Sequence, residues 1–265
     1  MKLDTRANNQ ESEAALVIGS TDPKAIVAEV GSLRRLATYR LVRRPKQKIR
    51  DSYLDLPDKS LQVQELALRI RETNGGTLIT LKGASHLTSF GTSRRFEMER
   101  VWSSDALIEV AAELEKRHIR GVQHVPVFLG RMEPFTTMAS LGFRIIQQRD
   151  THREVRDILP PWWKGRRALA ELVIDSVSFS FGKYAINLYE IEVEEKADNA
   201  SGVVKAVIED LLSRYGSTLR KWPHNKLATG KLLERMVGEG LIRDLINGQN
   251  NLMPHAFDRL DTYLS

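Results

Sequence analysis

Residues 65–83 read ELALRIRETNGGTLITLKG, two apolar runs joined by Asn74, Gly75 and Gly76, which supply the positive φ angles of a tight turn. Successive side chains of a strand point to opposite faces, and same-parity residues lie roughly 6 to 7 Å apart on one face. Leu66, Leu68 and Ile70, with Ile79 and Leu81, therefore form an aliphatic face. Arg69, Arg71, Thr80 and Lys82 share the other.

The same division recurs along the chain. SRRFEMER groups Arg95, Glu97 and Glu99 opposite Phe96 and Met98, and LYEIEVEEK groups Glu190, Glu192 and Glu194 opposite Ile191 and Val193. ESEA pairs Glu11 with Glu13, and QRDTHR pairs Arg149 with Arg153. One solvated sheet face would give such alternation strand by strand. Faces built almost wholly from Glu and Arg, with little Thr, Ser or Gln, point instead to a sheet closed with its charges inward. Burying so many charges costs several kcal/mol for each unpaired ion, so that interior is expected to be wet or filled. A divalent cation on a polyphosphate suits it: carboxylates are hard oxygen donors, and guanidinium forks match phosphate oxygens.

Strands are also expected at 13–20 (EAALVIGS), IRDSYLDL, LQVQELALRIRET, VPVFLGR or FTTMAS, FRIIQQRDTHREV, ALAELVIDSVSF and YAINLYEIEVEEK. Thr21 or Asp22 before Pro23 opens a helix to about Leu36, and Ser103 to Asp105 cap an amphipathic helix, ALIEVAAELEKRH. From Ser201 the chain reads as helical. Many strands with few crossover helices favour an antiparallel barrel over a doubly wound sheet.

Composition bounds the rest. A chain of 265 residues, 42% hydrophobic and 28% charged, can bury a core, and a net charge of +6 favours an anionic partner. Without cysteine, thiolate catalysis, disulfides and Cys-rich zinc sites are excluded. No 18-residue apolar run occurs, and a soluble cytoplasmic protein is expected, with no membrane partner. RRPKQK at 43–48 reads as a solvated loop, so nucleic acid is not expected as a partner.

These segments resemble the CYTH superfamily, the triphosphate tunnel metalloenzymes, from about Glu11 to about Gly230. ESEAA stands where the family has its ExExK strand, IRDSYLDLPD resembles its Tyr- and Asp-bearing segment, and LALRIR and LITLKG look like its phosphate-binding strands. RFEME fits RxExE, LVIDSV and YEIEVE resemble its late acidic strands, and NKLATG its late lysine segment.

The resemblance implies an α+β fold: an eight-stranded antiparallel β-barrel forming a tunnel, with helices packed outside and a C-terminal helical extension. It divides the chain into a flexible N-terminus (1–10), the tunnel domain (11–230) and the extension (231–265). It assigns Mg²⁺ or Mn²⁺ to Glu11, Glu13, Glu97, Glu99, Asp175, Glu190 and Glu192, and phosphate to Arg69, Arg71, Lys82, Arg95, Arg149, Arg153 and Lys226. Tyr53 and Lys82 stand where related thiamine triphosphatases have a proposed catalytic pair.

The implied activity is metal-dependent hydrolysis of a triphosphate-containing small molecule, with cyclisation of ATP to cyclic AMP, or binding without turnover, as alternatives. Analogy extends to a homodimer. Two departures bear on turnover: Ala15 replaces the ExExK lysine, and Gln147 stands where the family often has lysine.

Overall fold

The computed structural model describes residues 10–87, 93–119, 133–162, 165–182, 184–197 and 200–264. Eleven strands are present among them: β1 (Gln10–Ile18), β2 (Arg35–Leu36), β3 (Tyr39–Arg43), β4 (Gln47–Asp55), β5 (Ala67–Thr73), β6 (Gly76–Leu87), β7 (Ser93–Val101), β8 (Arg144–Leu159), β9 (Ala170–Phe181), β10 (Tyr184–Glu195) and β11 (Leu219–Lys221). The order β8-β4-β5-β6-β7-β1-β10-β9, with β9 returning to β8, closes a ring of eight antiparallel strands; β2, β3 and β11 extend it. The fold is an α+β antiparallel barrel, as the alternation implies.

Helices are α1 (Pro23–Ser32), α2 (Ser60–Val63), α3 (Ser104–Lys116), α4 (Pro134–Ser140), α5 (Ser201–Tyr215), α6 (Lys226–Gly238) and α7 (Ala256–Leu264). The chain divides into two compact units, one built on 49–86 and 95–148, the other on 11–48, 87–94 and 149–265.

In the first unit, β4 pairs β5 and β5 pairs β6. Leu68, Ile70, Ile79 and Leu81 are fully buried against Leu107, Val110 and Leu114 of α3. Each such aliphatic side chain contributes roughly 1.5–3 kcal/mol on burial. That term fixes which face of the hairpin meets the helix. Ser103 caps α3, its Oγ accepting from the Ala106 amide at 3.1 Å.

Two segments differ from the strand expectation. FTTMAS forms α4, with Pro134 preset for the first turn and Thr137 and Met138 buried at its inner face. Its β-branched threonines mislead because tertiary packing overrides their propensity. Leu61 to Val63 belong to α2, not to the strand that begins at Ala67. VPVFLGR lies outside the described residues.

The reason for α2 is Asp55. Its Oδ1 accepts from the Leu56 and Leu61 amides at 2.8 and 3.0 Å, and its Oδ2 from Gln62 at 3.2 Å. Asp55 is 2% exposed, so Asp55→Ala strands buried amides and is expected to lower stability by about 2–3 kcal/mol in urea unfolding; a loss under 0.5 kcal/mol would contradict this.

In the second unit, β1 pairs β10, β10 pairs β9, and β9 pairs β8. Asp22 caps α1, its Oδ1 accepting from Ala25 at 3.2 Å; α1 ends at Ser32, before the expected Leu36, because Arg35 and Leu36 pair with β3 as β2. Leu16, Ile18, Leu172, Ile174, Ile191 and Val193 pack against Val204, Val207 and Leu211 of α5.

A second apolar cluster joins Val17, Val177, Phe179, Ile186 and Leu188 to Leu232, Leu233 and Met236 of α6 and Phe257 and Leu260 of α7. These strand residues have the parity of Asp175 and Glu190. Helices α6 and α7 are thus seated over the apolar end of the strand face that carries the carboxylates.

The C-terminal helix is also clamped by charge. Asp261 receives Arg220 at 2.7 Å and lies 2.7 Å from His224 Nε2. The His224 bond, with Arg220 and against partial burial, holds Asp261 below its ordinary 3.8. The stabilisation is present above 3.8 and lost as pH falls through the lower folded value. Asp261→Asn should cost about 1 kcal/mol or less at pH 7, with the gap from wild type narrowing toward pH 3.5; a gap that widens would refute the assignment.

Candidate functional site

The charged faces form two clusters, one in each unit. In the first, register sets Tyr53 opposite Arg69, Asp51 opposite Arg71, and Arg69 opposite Thr80. Arg71 donates Nε and Nη2 to Asp51 at 2.7 and 2.9 Å, a bidentate fork. Arg69 Nη1 lies 3.5 Å from the same carboxylate, while its Nη2 donates to Glu99 at 3.2 Å and Thr80 at 3.3 Å. Thr80 donates to Glu99 at 3.0 Å, and Lys82 Nζ lies 3.0 Å from Glu97.

Asp51 is 1% exposed and Arg69 4%. Burial alone would lower the Arg69 guanidinium; Asp51, with Tyr53 and Glu99, reverses this and holds it above its ordinary value. Glu99 is likewise raised by burial but brought below its ordinary value by Arg69, Arg71 and Lys82. Arg69 and Glu99 are thus each favoured in their charged form by the other members of the cluster.

In the second cluster, Arg153 lies opposite Asp175, and Asp175 opposite Glu190. Arg153 grips Asp175 through Nε and Nη2 at 2.8 and 2.6 Å and reaches Glu192 at 3.3 Å. Lys226, the first residue of α6, places Nζ 2.6 Å from Glu190, 2.5 Å from Glu192 and 3.4 Å from Asp175. Burial would lower this ammonium, but Glu190, Glu192 and Asp175 raise it well above its ordinary value. Burial pushes the Glu190 carboxyl up to about 7, against the pull of Lys226.

Most residues expected from the sequence fall on these two faces. Arg69, Arg71, Lys82, Glu97, Glu99 and Tyr53 belong to the first unit; Asp175, Glu190, Glu192, Arg153 and Lys226 come together in the second. Arg149 is buried on β8, and Arg95 is half-buried on β7. Glu13 stands opposite Glu194, whose carboxylate meets Lys196 at 2.9 Å. The Glu11 side chain lies outside the described residues. Ala15 is directly opposite Glu192, and Gln147 is buried.

Asp51 and Thr80 emerge as the partners that hold the arginines. Both had the right parity, Asp51 with Tyr53 and Thr80 with Lys82, but their roles depend on register.

Among the described residues no three carboxylate or imidazole groups converge on one another as a ready cation site. Asp175, Glu190 and Glu192 converge on the Lys226 ammonium instead. Three hard oxygen donors already gathered about a cation are the donor chemistry Mg²⁺ or Mn²⁺ takes, so the residues fit such an ion.

The fold is an α+β antiparallel barrel whose strands carry interlocked carboxylates and basic side chains. The CYTH domain model matches residues 24–220, and the chain belongs to that family. Its fold is similar to that of a putative adenylyl cyclase, HpAC1, from Hippeastrum, described as having a dominant triphosphatase activity: 19% identity, TM-score 0.52, covering 84% of this chain and 96% of that one. A putative adenylate cyclase from Bacillus halodurans has 18% identity and TM-score 0.45, over 83% and 97% of the two chains. A mimivirus capping enzyme triphosphatase has 10% identity and TM-score 0.42, over 79% and 90%. No curated protein matches the chain. Among the described residues no helix is long and apolar enough to cross a membrane.

Proposed function

We propose that this protein is a divalent-metal-dependent triphosphatase that cleaves a phosphoanhydride bond of inorganic triphosphate, thiamine triphosphate or a nucleoside triphosphate. One observation carries the reading: buried guanidinium and ammonium groups are held by carboxylates on strand faces, ready to exchange those partners for phosphate oxygens. Membership of the CYTH family and a triphosphatase fold neighbour support it.

In this reading Arg69, Arg71, Arg95, Arg149, Arg153, Lys82 and Lys226 bind phosphate and neutralise the charge of the transferred group. Glu11, Glu13, Glu97, Glu99, Asp175, Glu190 and Glu192 supply the oxygens for Mg²⁺ or Mn²⁺. The ion would supply charge neutralisation at the phosphate oxygens and acidify a nearby water. Tyr53 and Lys82 are the proposed catalytic pair. Lys82, against Glu97, is placed to hold or give up a proton at Nζ, and Tyr53, 5% exposed, stands opposite Arg69 on the neighbouring strand.

Purified protein with Mg²⁺ or Mn²⁺ should release orthophosphate from at least one of these triphosphates. Pyrophosphate and cyclic AMP from ATP would establish the cyclase alternative instead. Calorimetric binding of every triphosphate with no release of any product would establish a binding protein.

A further inference from the structure

Lys226 occupies an unusual position for a buried ammonium. It opens α6, at the end of a helix whose dipole disfavours positive charge. The Asn225 side chain, accepting from the Ala228 amide at 2.9 Å, fixes that end, and Leu232, Leu233 and Met236 anchor the helix in the apolar cluster. The backbone is therefore held, while the long side chain reaches the carboxylates.

Around it stand Asp175, Glu190 and Glu192, with Arg153 as a second cation. Among the described residues, three carboxylates thus face two cations. Adding a divalent ion with Lys226 in place would leave a buried excess of positive charge; exchanging Lys226 for the ion leaves the cluster neutral. Burial makes the first arrangement costly. Ala15, directly opposite Glu192, contributes no charge to this strip.

We propose that the Lys226 ammonium is a resident cation that closes the Asp175–Glu190–Glu192 group, and that a divalent metal binds there only by displacing it. The inference rests on the reading of the protein as a divalent-metal enzyme. The displaced ammonium then needs another anion, which that reading supplies as phosphate. Lys226 thereby sets the order of events, metal entry being tied to movement of one side chain.

The test is Mn²⁺ titration of the full-length chain by calorimetry, with no phosphate compound present. Lys226→Met should bind Mn²⁺ at least tenfold more tightly than wild type. Lys226→Arg, which keeps the cation, should stay within threefold of wild type, as should the exposed control Lys205→Met. If Lys226→Met does not fold, Lys226→Gln, whose amide still donates to the carboxylates, is read in its place. Thermal melts give a second readout: Mn²⁺ should raise the Tm of the neutral variant more than that of wild type. Equal or weaker Mn²⁺ binding by the neutral variant overturns the proposal. Absence of phosphate release by wild type would instead count against the triphosphatase reading, leaving the ratio of Mn²⁺ constants to stand by itself.

Discussion

Replacing Asp51 by alanine is expected to destabilise the protein by about 3–5 kcal/mol. Asp51 is nearly inaccessible and holds two guanidinium groups, Arg71 through a bidentate fork and Arg69 at 3.5 Å. Removing it takes the bidentate fork from Arg71, while Arg69 keeps Glu99 and Thr80. Urea unfolding of wild type and variant measures the loss. Asp51→Asn keeps an acceptor and should lose less. A loss under 1 kcal/mol for the alanine variant would show that the arginines are hydrated and do not depend on this carboxylate. Inorganic triphosphate should raise the Tm of the alanine variant more than that of wild type, because it restores the missing negative charge.

The second large effect concerns rate. Lys82 is 13% exposed in its side chain and lies 3.0 Å from Glu97, with Thr80 and Arg69 on the neighbouring positions of the same face. A proton held at a fixed Nζ contributes about 10²–10⁴ in rate where it assists the reaction. Lys82→Met should therefore lower kcat for phosphate release about 10²- to 10⁴-fold with little change in Tm. Lys82→Arg, which keeps charge but holds its proton permanently, should recover binding of triphosphate and not the rate. A kcat within threefold of wild type in Lys82→Met would remove Lys82 from the proposed chemistry.

Much of this arrangement was legible in alternation alone. The two-residue period placed Arg69, Arg71 and Lys82 opposite Leu68, Ile70, Ile79 and Leu81, and the structure buries those aliphatic residues against α3. Capping chemistry located the starts of α1 and α3, since Asp22 and Ser103 are local signals that need no distant contact. Partnerships were less readable. That Asp51 meets Arg71, and Thr80 meets Arg69 and Glu99, depends on strand register, which the hydrophobic pattern narrows to a face but not to an opposite residue.

The carboxylate face held a further signal. Val177 and Phe179 share the parity of Asp175, so the charged strip had to end in an apolar one that something covers. Which helix covers it is a long-range fact, and it is this contact that carries Lys226 to Glu190 and Glu192. FTTMAS shows the opposite failure: a short apolar run with threonines carries no reliable period, and Pro134 was the better guide.

These buried charges are proposed to serve triphosphate hydrolysis with a divalent ion. The most direct measurement is orthophosphate released from inorganic triphosphate by the wild-type chain, with Mg²⁺ or Mn²⁺ and then with excess chelator. Release over many turnovers is expected with the metal, and its loss with the chelator. Release that persists undiminished in chelator, or none with either metal or any of the triphosphates named, would contradict it.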